Sequence, residues 1–285
     1  MRHSDKVFNT LAQAVTSLGL QPPNDWVELV GGRSNRLFLG TFSYGKLVFK
    51  LFDQTRANSL FPNNLHDERD ALSVFDDTSL APKLYACVDT NAGPCIVYDY
   101  VDGVVLSQAT HQTIEALSRV HAHKTPRAFR HIPSAPDAIL DHGMALLAQD
   151  TSDRAKWLCA NVPQVPDVSV MPEGSVCFLH GDPTPANTVQ TRAGVTFIDW
   201  QCPAIGDPVY DLAIALSAAM HVVDGAEPLS GLQINALLDV YANAEVAQRY
   251  RAMAPLYQWR MACYCHWKAQ SGEAEYAAAG LAEFS

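Results

Sequence analysis

The chain reads His-Gly-Asp-Pro-Thr-Pro-Ala-Asn over residues 180–187 and Phe-Ile-Asp-Trp over residues 197–200. These two segments place Asp182, Asn187 and Asp199 around one polar loop. Two carboxylates and an amide oxygen are hard oxygen donors of the kind that Mg²⁺ binds together with phosphate oxygens. Enzymes that transfer phosphoryl groups use an Asp, an Asn five residues later and a second Asp at a strand end. The spacing predicts that Asp182 accepts the proton of an attacking hydroxyl and that Asn187 and Asp199 hold the metal.

The motif continues beyond this loop, with Gly-Asp-Pro over residues 206–208 and Asp-Leu-Ala over residues 211–213. Together with residues 180–187 and 197–200, the pattern closely resembles the aminoglycoside phosphotransferase and choline kinase family of small-molecule kinases. The resemblance implies an α+β, two-lobed protein-kinase-like fold, with a β-rich N-terminal lobe that has one main helix and a mostly helical C-terminal lobe. It also implies ATP as the phosphoryl donor, with GTP as an alternative, and Mg²⁺ as the metal.

Hydrophobic periodicity divides the chain in the same way. Before the Asp102-Gly103 break we expect a first helix, in which Leu11, Val15 and Leu18 recur at helical spacing and which Gly19 ends. The rest of this part is β-rich, with an antiparallel meander of strands over 26–30, 36–42 and 46–52, a helix over 66–75 and two further strands over 84–89 and 95–100. After the break we expect helices over 112–122, 137–148, 211–221, 235–245 and 254–270, and a small hairpin formed by 175–179 and 195–198. We therefore predict an N-terminal nucleotide-binding lobe of residues 1–101 and a helical C-terminal lobe of residues 102–285, which carries the catalytic loop and the acceptor site.

A glycine-rich turn at residues 31–35 matches the phosphate-covering loop that the resemblance implies. Small residues in such a turn let backbone N–H groups approach a phosphate. The Gly-Gly pair alone would fit an ordinary hairpin turn, but it lies 18 residues before Lys50. We expect four residues of this turn to bind the nucleotide: Gly31, Gly32, Ser34 and Asn35.

Lys50 ends an apolar strand and matches the lysine that kinases of this kind place on the nucleotide phosphates. Lys46 competes for this role on the same strand face, but its place beside the turn at Gly45 favours a solvated position.

Glu68 follows 18 residues after Lys50, inside a helical pattern. Kinases pair such a glutamate with the strand lysine and so steady the lysine against the phosphates. Asp67 and Asp70 are nearby alternatives, which spacing and side-chain reach disfavour.

Residues 96–103 resemble the segment that joins the two lobes in this family. There, backbone groups near Asp99 and Val101 would hydrogen-bond the adenine ring, and Tyr98 would stand at the back of the pocket. A buried strand would show the same apolar pattern, and the two interpretations are compatible.

Other residues of the motif have structural interpretations. His121 is expected to pack or hydrogen-bond within the helical lobe, and His180 to orient the loop. Asp207 and Asp211 are expected to cap a helix and brace the loop. Candidate residues for lining the acceptor pocket are Trp200, Asp207 and the aromatic run from Tyr257 to Trp267.

The composition excludes several classes of protein. The 285 residues carry a net charge of −10, which argues against a nucleic-acid or anionic-membrane surface. No run of 18 apolar residues predicts a membrane span, and the first residues lack the apolar core of a signal peptide. Seven scattered cysteines without a C-x-x-C pair predict a reducing compartment, and we expect a cytoplasmic protein. Cys263, Cys265 and His266 do not predict zinc, because residues two apart on a helix point apart.

The charge is concentrated after residue 100, where the balance is −8 against −2 before it. This asymmetry favours a cationic small-molecule acceptor, an amine-bearing alcohol of the choline, ethanolamine, thiamine or aminoglycoside type. No protein partner is implied.

Two alternative functions come from other classes. A catalytically silent kinase-like nucleotide-binding or regulatory protein is the main alternative, although the complete set of polar site residues argues against it. A hydrolase lacks a Gly-x-Ser-x-Gly elbow, and a P-loop enzyme lacks its G-x-x-x-x-G-K-[ST] motif.

Overall fold

The structure is a computed structural model that describes residues 3–30, 33–124, 128–166 and 176–285. The chain divides into two units. The first unit comprises residues 1–103 and 196–202, and the second comprises residues 104–195 and 203–285. A short segment thus returns to the first unit after a long excursion through the second.

The first unit is built on a five-stranded sheet with two α-helices. Its elements are α1 (His3–Ser17), β1 (Asp25–Leu29), β2 (Arg36–Phe42), β3 (Gly45–Leu51), α2 (Leu65–Val74), β4 (Leu84–Thr90) and β5 (Gly93–Asp99). The strand order is β1-β2-β3-β5-β4, and every neighbouring pair is antiparallel. The antiparallel meander predicted for the first three strands is confirmed.

The alternation of side chains along β3 places Lys50 on a particular face of this sheet. Leu47, Phe49 and Leu51 pack with the apolar side of α1, including Leu11, in one core cluster. Successive strand residues point to opposite faces. Lys50 therefore lies on the face that α1 does not cover.

The returning segment at residues 196–202 is hydrogen-bonded to the rest of the first unit. The Phe197 N–H donates to the Leu80 carbonyl at 2.9 Å, and the Thr196 hydroxyl donates to the Ser79 carbonyl at 2.9 Å. Trp200 is completely buried, and its ring lies 4.7 Å from that of Phe75.

The second unit is mostly helical and contains two small sheets. Its helices are α3 (His111–Ala122), α4 (Pro136–Leu147), α5 (Asp153–Ala160), α6 (Val209–Ala215), α7 (Ala218–Val223), α8 (Gly231–Leu238), α9 (Ala244–Gln270) and α10 (Glu275–Ala282). Its strands are β6 (Val104–Val105), β7 (Arg130–His131), β8 (Cys177–Leu179), β9 (Thr188–Thr191), β10 (Gly194–Phe197) and β11 (Ala204–Gly206), the end of β10 counting in the first unit. The sheet orders are β10-β9-β6 and β7-β11-β8.

The hairpin predicted from residues 175–179 and 195–198 is wrong. Within the described residues β8 pairs with β11, whereas β10 pairs with β9. The two apolar runs were correctly interpreted as strands, but an apolar run does not encode which strand it pairs with.

Several helix predictions also need correction. The helix predicted over 211–221 is two helices, because the Ser217 side chain accepts the Met220 N–H and starts α7. The helix predicted over 235–245 ends at Leu238, and a new one begins at Ala244 after the N-cap Asn243. That helix continues through Pro255, where the sequence pattern predicted a start. Helices α5 and α10 were not predicted. In the described part of the chain, every helix is too short or too polar to span a membrane.

Candidate active site

Lys50 is the centre of a buried ion-pair group in the first unit. Its Nζ lies 2.6 Å from Glu68 Oε2 and 2.5 Å from Asp199 Oδ1. The side chains of Lys50 and Glu68 are each 1% exposed, whereas that of Asp199 is 33% exposed. The structure thus brings three of the predicted site residues together, and Asp199 is the one with access to solvent.

The alternatives to Lys50 and Glu68 lie elsewhere. Lys46 Nζ lies 3.5 Å from the exposed carboxylate of Asp102. Asp70 pairs with its neighbour Arg69 at 2.8 Å.

Electrostatics keep the Lys50 ammonium charged. Burial by itself opposes the charge, but the Asp199 and Glu68 carboxylates outweigh it and raise the pKa of Lys50. Burial also raises the pKa of Glu68, against the opposing attraction of Lys50. The Trp200 backbone N–H donates to the Glu68 carboxylate and helps to hold it in place.

Asp199 has a left-handed backbone conformation, with φ of 63°. Among the described residues it is the only non-glycine with positive φ. This conformation costs roughly 1–2 kcal/mol and persists where the surrounding structure enforces it. Trp200 supplies one such restraint, since its indole N–H donates to the Phe197 carbonyl at 2.9 Å.

Asn35 lies in a network of buried amides that reaches Gln201, two residues after Asp199. Its Nδ2 donates to Gln201 Oε1 at 2.6 Å and to Asn63 Oδ1 at 2.8 Å. Its Oδ1 accepts from Asn63 Nδ2 and from the Asp53 N–H, both at 2.9 Å. An asparagine side chain has two donor hydrogens and two acceptor lone pairs. All four are used inside the first unit, which sequence reasoning did not foresee.

Of the other residues predicted to bind the nucleotide, Ser34, Asp99 and Val101 lie in the described part of the chain. Gly31 and Gly32 lie outside the described residues. Ser34 is half-buried and lines a cavity of about 600 Å³. Asp99 ends β5 and donates its N–H to the Lys83 carbonyl at 2.9 Å, and Val101 follows two residues later.

In the second unit, Asp182 and Asn187 are joined within the catalytic loop, residues 180–187. Asn187 Nδ2 donates to Asp182 Oδ2 at 3.1 Å and to the Asp182 carbonyl at 2.9 Å. Pro185 opens the short 3₁₀ turn that carries Asn187, at a position where no N–H donor is needed. The Asn187 amide nitrogen is thus committed to Asp182, and the amide oxygen is the group suited to a metal.

Asp211 braces this loop from a completely buried position in α6. Its two oxygens accept the backbone N–H groups of His180 and Gly181 at 2.8 and 2.9 Å. His121 Nε2 lies 3.1 Å from Asp211 Oδ2, and His121 Nδ1 lies 2.7 Å from the Tyr241 hydroxyl. The bracing role expected for Asp211 fits this geometry, whereas Tyr241 was missed because no local signal links it to the loop.

The residues proposed to line the acceptor pocket differ in exposure. Trp200 and Asp207 are completely or almost completely buried, and Asp207 accepts from Arg249 Nε at 2.6 Å. Trp200 is therefore a core side chain, and Asp207 is a buried ion-pair partner that also accepts the Val209 N–H. Burial, the neighbouring Tyr276 and then Asp182 raise the pKa of Tyr264, which places Tyr264 of α9 near the catalytic loop.

The two predicted metal ligands, each taken by itself in its own unit, fit Mg²⁺ in their chemistry. A carboxylate at residue 199 and an amide oxygen at residue 187 are oxygen ligands of the type that Mg²⁺ takes with phosphate. In the described part of the chain, no group of three or more His, Cys, Asp or Glu side chains surrounds a potential ion position.

Comparisons with known proteins agree with the motif. A model of the phosphotransferase enzyme family matches residues 25–256. No curated protein matches the chain in sequence.

Three solved structures illustrate the similarity of fold. A choline/ethanolamine kinase family protein from Mesorhizobium loti is 16% identical, covers 99% of this chain and 92% of its own, and has a TM-score of 0.70. A choline kinase from Cryptosporidium parvum Iowa II is 11% identical, with coverages of 91% and 88% and a TM-score of 0.62. An aminoglycoside phosphotransferase crystallised with AMP-PNP and hygromycin B is 14% identical, with coverages of 96% and 96% and a TM-score of 0.61.

At these identities the solved structures show the fold, which is the two-lobed protein-kinase-like fold with an N-terminal antiparallel sheet and a helical C-terminal region. The family resemblance and the fold class inferred from the sequence are confirmed. Because the family model spans most of the chain, this protein belongs to the phosphotransferase enzyme family.

Proposed function

We propose that this protein transfers the γ-phosphoryl group of ATP to a hydroxyl of a small molecule in a Mg²⁺-dependent reaction. The observation that carries the proposal is the buried Lys50 ammonium held between Glu68 and Asp199. A lysine ammonium at this position can hold anionic phosphate oxygens. GTP is an alternative donor.

The first unit would bind the nucleotide. Lys50, steadied by Glu68, contacts the phosphates in this proposal. The turn at Gly31, Gly32 and Ser34 covers the phosphates. The backbone at Asp99 and Val101 hydrogen-bonds the base.

The second unit would supply the base for the reaction. Asp182 accepts the acceptor hydroxyl proton while the hydroxyl oxygen forms a bond to the γ-phosphorus and the bond to the leaving nucleoside diphosphate breaks. Asn187 orients the Asp182 carboxylate through its amide nitrogen. Asn187 and Asp199 would hold Mg²⁺, which when bound neutralises charge on the transferring phosphate.

The acceptor we propose is an amine-bearing alcohol. Its support is the excess of acidic residues after residue 100, which would attract a cationic acceptor. A related spectinomycin phosphotransferase is described with ADP and spectinomycin, and the aminoglycoside phosphotransferase noted above with hygromycin B. The cysteines in the described residues are free thiols, which supports a reducing, cytoplasmic setting.

The test is a phosphorylation screen with γ-radiolabelled ATP over amino alcohols, sugars and aminoglycosides. We expect labelled product with at least one amine-bearing alcohol, dependent on Mg²⁺ and lost in Asp182→Asn. Nucleotide binding that requires Mg²⁺ without transfer to any acceptor would instead support the silent nucleotide-binding protein.

A further inference from the structure

We propose that Asn35 and Gln201 form a buried amide pair that positions Asp199, so that the Asn35 side chain acts on the metal ligand instead of on the nucleotide. The inference rests on the proposed function, in which Asp199 holds Mg²⁺. It replaces the nucleotide contact predicted for the Asn35 side chain.

The Asn35 side-chain amide has all of its hydrogen-bonding positions occupied. Both of its hydrogens and both of its acceptor positions are engaged by Gln201, Asn63 and Asp53, at distances of 2.6 to 2.9 Å. The side chain is also buried, with 6% exposure. A phosphate oxygen could bind the Asn35 amide only by displacing one of these bonds.

A further argument is the backbone conformation of Asp199. A left-handed backbone is uncommon for a non-glycine residue and costs less for aspartate than for most, so contacts of the following residues suffice to hold it at Asp199. The residues after it are each anchored by a separate polar contact: Trp200 to Glu68 and Phe197, Gln201 to Asn35, and Cys202 to the Pro62 carbonyl at 3.0 Å. Of these contacts, only the one at Gln201 joins two side-chain amides.

The amide pair connects the glycine-rich turn, β3 and the segment that follows Asp199. Asn35 lies immediately before β2, at the end of the glycine-rich turn, and Gln201 lies two residues after Asp199. The Asn35 bond to the Asp53 N–H fixes the end of β3, the strand that carries Lys50. Asn35 therefore links the segment of the metal ligand Asp199 to the end of the strand that carries Lys50. This link agrees with the 2.5 Å contact between Lys50 and Asp199.

The test separates metal-dependent from metal-independent nucleotide binding. Gln201→Met removes the acceptor at nearly constant volume, and Asn35→Ala removes the donor. Affinity for a fluorescent ATP analogue is measured in EDTA and in Mg²⁺ for both variants and the wild type. In both variants we expect the gain in affinity on adding Mg²⁺ to be about tenfold smaller than in the wild type. Their affinity in EDTA should stay within about twofold of the wild-type value.

The matched control is Asn58→Ala. Asn58 Oδ1 also fixes the β3–α2 loop, by accepting the Leu60 and Phe61 N–H groups at 3.1 and 2.8 Å, and both of these bonds stay within the loop. We expect this variant to melt at a lower temperature and to keep the full Mg²⁺ gain.

Three outcomes would overturn the inference. Equal losses in EDTA and in Mg²⁺ would mean that the pair contacts nucleotide or acts only on stability. An Asn58→Ala loss matching that of Gln201→Met would mean general destabilisation. Wild-type binding without any Mg²⁺ gain would reject the proposed function and the positioning role with it, and the parallel wild-type measurement distinguishes that failure from the other two.

Discussion

Asp182 lies within the catalytic loop, whereas Asp211 supports the loop from α6. Asp182 is half-buried at the loop and takes a hydrogen bond from Asn187, so its carboxylate is oriented and still accessible. Asp211 is completely buried, and both of its oxygens are used on backbone N–H groups of the loop. Substitution at the two sites should therefore have different consequences.

Asp182→Asn should reduce kcat by about 10²–10⁴-fold, because an amide cannot accept the hydroxyl proton. Nucleotide affinity should change little, since Lys50 and Glu68 are untouched. Steady-state kinetics with the identified acceptor and a nucleotide titration measure the two effects. Near-normal kcat would remove Asp182 from the role of base.

Asp211→Asn should lower stability and kcat together. The amide has one oxygen, so one of the two loop N–H groups loses its partner, and an unsatisfied buried donor costs about 1–3 kcal/mol. Denaturant unfolding and kcat report the two effects. A destabilised variant with wild-type kcat would show that the brace does not set the geometry of the loop.

Single site residues could be predicted from the sequence where they stand at a characteristic spacing within a motif. Asp182 and Asn187 are five apart in one loop, and the structure joins them directly. Lys50, Glu68 and Asp199 were named from family spacing and also lie together. The amide partners of Asn35 could not be named, because Asn63 and Gln201 are 28 and 166 residues away and amides have no distinctive sequence pattern.

Helix α10 is attached to α7 through one buried acid. Glu283 directly follows α10, and its Oε1 accepts from the Ser217 hydroxyl and from the Ala219 N–H at 2.9 Å. Burial raises the pKa of Glu283 to about 7, and the two hydrogen bonds only partly oppose this.

The free energy of unfolding should fall as pH rises from about 4.5 to about 7. In this window the folded state keeps a proton on Glu283 that the unfolded chain releases, so raising the pH favours unfolding, by up to about 3 kcal/mol. Glu283→Gln keeps an acceptor without the charge and should flatten the slope. Urea unfolding at several pH values measures it.

The control is Glu275→Gln, at an exposed position of the same helix. This variant should keep the wild-type slope. A Glu283→Gln protein with an unchanged slope would assign the pH dependence to other groups, including the buried Glu68.

The elements of the first unit were predicted more closely than the helix boundaries after residue 208, for a physical reason. In the first unit β2 alternates between buried and partly buried residues and is bounded by turn residues, so it was predicted at its observed bounds. In the second unit the breaks between helices depend on single capping side chains, Ser217 and Asn243, inside otherwise helical sequence. The pairing of β8 with β11 depends on long-range contacts that no apolar run encodes.

The net charge of −10 acts on the molecule as a whole. It creates a negative field that attracts a cationic acceptor and that salt screens over about 8 Å at physiological ionic strength.

For a cationic acceptor, KM should rise with ionic strength while kcat stays nearly constant. A neutral isostere of the same acceptor, assayed from about 20 to 500 mM salt, serves as control and should show a flat KM. A best acceptor that is neutral or anionic, with salt-independent KM, would contradict the amine-bearing class and leave the phosphotransferase assignment unchanged.

The return of residues 196–202 to the first unit has a consequence for biosynthesis. On the ribosome, residues 1–103 emerge without Asp199 and Trp200, so Lys50 and Glu68 lack one partner and Phe75 lacks the indole that covers it. At about 5–20 residues per second, roughly 5–20 s of translation separate residue 103 from residue 202. During that interval all five strands of the sheet have been made, but Phe75 exposes the apolar surface that Trp200 later covers. A released 1–103 fragment should therefore be less resistant to protease than the same region in the full chain.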